Sequence, residues 1–144
     1  MNQYYCPYCD EDLTHLNGMV LKLKGVLDSD HFKCSSNFFL PAAVGVYGVI
    51  TENHLTLKDG AIIDFCCPNP KCDHSFTTSY DEDLANVKMV DDDGTERVVV
   101  FNRIYGKQST FVVDFKEKKV ENAYGADQEN YIREFDKPIN FFGE

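Results

Sequence analysis

Cys67-Pro68-Asn69-Pro70-Lys71-Cys72 is the stretch that decides the reading of this chain, because it echoes Cys6-Pro7-Tyr8-Cys9 near the start. A cysteine followed by proline, with a second cysteine close behind, makes a tight knuckle. Proline fixes one φ angle at the head of the turn. Backbone N–H groups then turn inward towards the sulfurs. The residue after the second cysteine often takes a left-handed conformation, usually as glycine. Here those positions hold Asp10 and Asp73, and aspartate tolerates that region better than most side chains. Two knuckles bring four thiolates together, the closed tetrahedral shell of structural zinc. The expected metal ligands are therefore Cys6, Cys9, Cys67 and Cys72, with Zn2+ as the ion.

The chain has six cysteines, and the remaining two are assigned by elimination. Cys66 adjoins Cys67, and neighbouring strand residues point to opposite faces, so one ion does not take both. Cys67 is preferred because it precedes Pro68 as Cys6 precedes Pro7; Cys66 is then a core residue or a spare thiol. His74 is the alternative ligand on this side, and His15 a weaker one. Cys34, His31 and His54 stand alone. Iron is the alternative ion. An iron centre of this type uses two short knuckles, each followed by glycine, whereas here the second gap is longer and aspartate follows both, so zinc is favoured. Catalytic zinc needs three protein ligands and an open position. Four available cysteines argue for a closed shell instead.

These residues resemble the zinc-ribbon (rubredoxin-knuckle) superfamily over about residues 4–14 and 63–80. The second half-motif also looks like the four-residue-gap knuckle of phage late-gene activator zinc fingers, which likewise hold an Asn in the gap and an aromatic residue four places after the last cysteine, here Phe76. Those proteins act on DNA and join their knuckles by a far shorter linker. The resemblance implies a four-sulfur metal knuckle and nothing further about partners.

The 144 residues fit one domain or two small lobes, and 43% hydrophobic residues suffice for a core. Formal net charge is -10. A four-thiolate site holding a divalent ion takes it to about -12. Such a chain is repelled by phosphate backbones and anionic membranes, so nucleic acid is not the expected partner. No apolar run approaches the roughly 20 residues that span a bilayer. The N-terminus carries no signal-like segment, and the expected location is cytoplasmic, where cysteines serve metals more than disulfides. Acidic blocks at Asp10-Glu11-Asp12, Asp81-Glu82-Asp83 and Asp91-Asp92-Asp93 suit solvated turns.

Most other segments predict strands. Met19–Leu27 alternates in part and ends at a turn signal, Asp28-Ser29-Asp30. Phe38-Phe39-Leu40 precedes Pro41. Val44–Ile50 is β-branched and glycine-spaced, which suits a strand with a bulge or a close backbone approach. His54–Leu57, a Lys58-Asp59-Gly60 turn and Ala61–Phe65 predict a hairpin that delivers Cys67. Asn86–Val90 and Arg97–Phe101 flank the acidic turn, and Thr110–Phe115 and Val120–Tyr124 follow. Asp127–Phe135 is the helix candidate, with Asp127 as cap and Tyr131 and Phe135 as an i, i+4 pair. The expected fold is mostly β: a zinc-ribbon lobe with an inserted β-meander over 1–80, then an antiparallel β lobe with a C-terminal helix and tail over 81–144, the alternative being one continuous domain.

Catalytic signatures are missing. There is no Gly-x-Ser-x-Gly, phosphate loop or dinucleotide fingerprint. Asp64, Asp73 and His74 near the metal predict satisfied polar groups more than acid–base chemistry. Pro138-Ile139-Asn140-Phe141-Phe142 predicts packing onto the chain's own sheet, or a peptide that docks into a partner. The expected role is a non-catalytic zinc-binding accessory subunit or interaction module with a protein partner. The alternatives are a zinc-ribbon transcriptional regulator and a rubredoxin-like iron carrier.

Overall fold

Val98-Val99-Val100-Phe101 is apolar without alternation, and the fold explains why. Val98 and Val100 face one core, with Leu84, Phe111 and Val113; Val99 and Phe101 face a second, with Ala85, Val87 and Met89. A strand covered on both faces needs apolar residues at successive positions. The computed structural model describes residues 2–29, 32–52 and 57–136. His31, His54 and the Pro138–Phe142 tail lie outside the described residues.

The chain is mostly β, in two antiparallel sheets. Its strands are β1 (Gln3–Tyr5), β2 (Thr14–His15), β3 (Val20–Ser29), β4 (Phe32–Pro41), β5 (Ile50–Thr51), β6 (Ile63–Cys66), β7 (Leu84–Val90), β8 (Glu96–Asn102), β9 (Thr110–Asp114) and β10 (Val120–Tyr124). Sheet one runs β1-β7-β8-β9-β10. Sheet two runs β2-β3-β4-β5, with β6 also on β3. Its inner residues Leu21, Leu23, Phe38, Ile63 and Phe65 share one core with Tyr4, Val87 and Val99 of sheet one. The opposite face of sheet one is closed by Tyr131, Ile132 and Phe135.

One edge of β3 brings the two cysteine segments together. β2 lies along its start, with Thr14 opposite Leu21. β6 lies along its later part, with Lys24 opposite Cys66 and Leu27 opposite Ile63. The first cysteine pair precedes β2 and the second follows β6, so the two meet where these strands approach along β3. Residues 74–78 then cross to sheet one: Phe76 N–H donates to Phe65 O at 2.7 Å and Asn86 N–H to Phe76 O at 2.9 Å. The acidic turn is a hairpin turn, with Gly94 at φ 85° and Asp91 ion-paired to Arg97, which also holds Glu121 at 2.7 Å.

Two expectations are corrected. Val44–Ile50 is not a strand; only Ile50 pairs, opposite Phe39. Gly45 and Gly48 have φ of 86° and 152°, which a ladder does not accommodate. Gly45 instead lets the Tyr124 ring approach: a Cβ there would lie 2.9 Å from Tyr124 Cδ1. The C-terminal helix is two short 3-10 turns, Gln128–Asn130 and Ile132–Asp136. Asp127 makes no side-chain cap. Its carboxylate accepts the Gln108 N–H at 2.7 Å instead, and Tyr131, at φ -124°, breaks the run.

Candidate metal centre

The sulfurs of Cys6, Cys9, Cys67 and Cys72 all lie within 4.8 Å of one another. The closest pairs cross between knuckles: Cys6 to Cys72 at 3.8 Å and Cys9 to Cys67 at 3.6 Å. Four sulfurs each about 2.3 Å from one zinc ion stand roughly 3.8 Å apart along the tetrahedral edge. The cluster therefore has the size of a metal shell before any ion is considered.

Local backbone explains the geometry. In the first knuckle Cys6 N–H donates to Glu11 O at 2.9 Å; in the second Cys67 N–H donates to His74 O at 3.0 Å. Each acceptor stands two residues after the knuckle's last cysteine, so the two knuckles close alike despite unequal gaps. Pro68 and Pro70 occupy the longer gap, and Asn69 O accepts the N–H groups of Cys72 and Asp73. Asp10 and Asp73 adopt φ of 62° and 49°, the left-handed conformation expected of them. In the second knuckle that reversal aims the next amide, that of His74, at Cys72; the other amides directed at sulfur lie inside the knuckles. Tyr8 N–H donates to Cys6 Sγ at 3.4 Å, and the amides of Asn69 and His74 serve Cys67 and Cys72 in the same way.

Charge is the remaining problem. Burial pushes the Cys6 thiol up to about 11 and carries Cys67 well above the ordinary thiol value. Burial also raises Cys72, but the His74 amide and the neighbouring thiols outweigh it and the net shift is downward. Four sulfurs this close become thiolates together only with a cation among them. The donor set fits a soft, tetrahedral divalent ion.

No family model, curated protein or solved structure matches this chain.

The other sequence candidates fall elsewhere. Cys66 is buried on its strand, with its thiol 3.8 Å from Asp64 O, outside the cluster. Cys34 is also outside it. His74 stacks on Tyr8 with ring centroids 3.7 Å apart, closing one knuckle over the other. His15 lies beside Phe39. Asp64 accepts the Ser75 hydroxyl at 2.6 Å. Asp73 is paired with Lys24 at 2.8 Å and Asp10 with Lys88 at 3.6 Å.

Sequence reasoning missed those two lysines. Lys24 belongs to sheet two and Lys88 to sheet one, so each sheet holds one left-handed aspartate. No local spacing signals a pair 49 residues apart. The pairs are half-exposed, with Lys24 and Asp73 side chains 36% and 51% exposed, so each contributes about 0–1 kcal/mol. Asp73→Gly is therefore expected to change stability by less than about 0.5 kcal/mol, because relief of left-handed strain offsets the lost pair. Asp73→Val is expected to lose about 2 kcal/mol. Urea unfolding of the metal-loaded protein checks both.

Proposed function

We propose that this chain is a non-catalytic metal-binding protein whose four cysteines hold a structural zinc ion, and that it serves as an accessory subunit or interaction module of a larger cytoplasmic assembly. The convergence of four sulfurs on one point, with amides directed at them, carries the metal reading. Four sulfur donors fill a tetrahedral ion and leave no position for substrate. The polar groups nearest the cluster are already engaged: Asp64 by Ser75, Asp73 by Lys24, His74 by Tyr8. The two knuckles and the strands that carry them make up the zinc-ribbon lobe of this proposal. Thiols used as ligands suit a reducing compartment. A net charge of -10 turns the surface away from nucleic acid and towards a partner with basic groups. Leu16 and Met19 in the turn between β2 and β3, and Ile50 on β5, exposed by 60%, 73% and 65%, supply apolar anchors for such a partner.

Metal analysis of untagged protein tests the first half. A colourless protein with about one zinc per chain supports it; a red iron protein replaces it with the electron-carrier reading. Size-exclusion of the native complex tests the second. A stoichiometric partner that is lost on Met19→Asp or Ile50→Asp supports an interaction module, and a chain that always runs alone overturns it.

A further inference from the structure

A cavity of about 330 Å³ lies between the inner faces of the two sheets. It is a half-open cleft walled by both sheets and by residues 41–49. Its floor is apolar and comes from both sheets: Leu23, Ile63 and Phe65 from one, Val87, Val99 and Phe101 from the other. Three polar side chains of its wall, Tyr47, Asn102 and Thr110, already have partners. Thr110 Oγ1 meets Tyr47 OH at 3.0 Å, and Asn102 Nδ2 donates to Ser109 Oγ at 3.1 Å. The floor thus asks for an occupant without polar groups.

Residues 44–49, the part of the predicted strand that pairs with no neighbour, form the cover. It is fastened at separate points. Tyr4 OH donates to Ala42 O at 2.6 Å, Gly45 lies against Tyr124, and Tyr47 reaches Thr110. Val44, between the first two points, and Val49, beyond the last, turn towards the core. A cover joined by side-chain contacts, and not by a ladder, opens without breaking either sheet.

The mouth has its own chemistry. Among the described residues, the charged ones lining the cavity are Asp59, Arg103 and Lys107, a net positive set in a chain of net charge -10. Arg103 is held rigid, donating to Ile63 O at 3.0 Å and to Glu82 O. Lys107 is exposed. An apolar floor below a cationic rim matches a molecule with an apolar body and one negative end. At roughly 30 Å³ per non-hydrogen atom the volume takes about a dozen such atoms. We propose that this cavity binds a medium-chain monocarboxylic acid, its chain between the sheets and its carboxylate at Arg103 and Lys107. The proposal stands apart from the metal reading and does not need it.

Calorimetric titration of the metal-loaded protein with decanoate, decanol and decylamine, each below its micelle concentration, tests it. Saturable decanoate binding, at least tenfold tighter than decylamine, is expected. Lys107→Glu, a surface change, should weaken decanoate about five- to tenfold. Val99→Phe fills the floor and should abolish binding. Chemical-shift changes on decanoate addition should fall on 42–49. Absence of decanoate binding, binding untouched by either variant, or decanol binding as tightly as decanoate would overturn the assignment.

Discussion

Cys67→Ser is expected to yield a chain that no longer retains its metal through gel filtration and unfolds well below the parent. Cys67 is fully buried at the head of the second knuckle, and its sulfur lies 3.6 Å from that of Cys9. Structural zinc contributes on the order of 10 kcal/mol or more to the fold that holds it. A whole domain of this size is stable by only about 5–15 kcal/mol. Losing one of four ligands therefore removes a large part of the total. Circular dichroism melting with metal content measured on the same sample reads both effects, and a chelator added to the parent should reproduce the melting change. Cys66→Ser and Cys34→Ser should keep the metal, because neither sulfur belongs to the cluster. Loss of metal in those two and its retention in Cys67→Ser would reject the ligand set.

The same sulfurs give opposite pH dependences with and without metal. In the metal-free fold, burial raises Cys6 to about 11, above the roughly 8.5 of an unfolded thiol. The folded state then holds the proton more tightly, so its stability is intact below about pH 8.5 and declines as pH rises towards the folded value. In the metal-loaded fold the sulfurs are thiolates and protons compete with the ion, so metal is released as pH falls. Urea unfolding across pH in both states separates the two trends.

The knuckles were legible because their information is local. Proline after cysteine singled out Cys67 over Cys66, and the left-handed positions of Asp10 and Asp73 followed from their place after each pair. Strands β7, β8 and β9 were equally plain, since both of their faces are covered and β-branched runs had little alternative, whereas the short β1 gave no strand signal of its own. Misreadings arose where a distant residue decided the outcome. Val44–Ile50 has strand composition, but Tyr124 and Thr110 hold 44–49 as a cover. Asp127 has the identity of a helix cap, but the Gln108 amide takes its carboxylate. Lys24 and Lys88 reach their aspartates only after both sheets exist.

Gly25 is a position where local preference and packing make opposite predictions. In a strand, glycine to alanine ordinarily gains about 0.5–1 kcal/mol by restricting the unfolded chain. Here a Cβ would stand 2.3 Å from Phe38 Cδ1 and 2.4 Å from Cε1. Phe38 is fully buried and cannot yield easily: its ring meets Phe65 edge-on at 5.6 Å, and Phe65 in turn meets Phe101 at 5.5 Å. Gly25→Ala is therefore expected to lose about 3 kcal/mol, at the upper end of overpacking costs. The strain has a path to the metal centre, because Phe65 pairs with Gly25 across the ladder and stands two residues before Cys67. Metal affinity should fall together with stability. Adding Phe38→Leu to Gly25→Ala should recover part of the loss, although Phe38→Leu alone is destabilising, and the double-mutant cycle should show coupling of about 1 kcal/mol or more. A Gly25→Ala protein as stable as the parent, or additive effects in the cycle, would mean that the Phe38 ring is not seated on Gly25. The aromatic row would then not be the element that holds β6 and its knuckle in register.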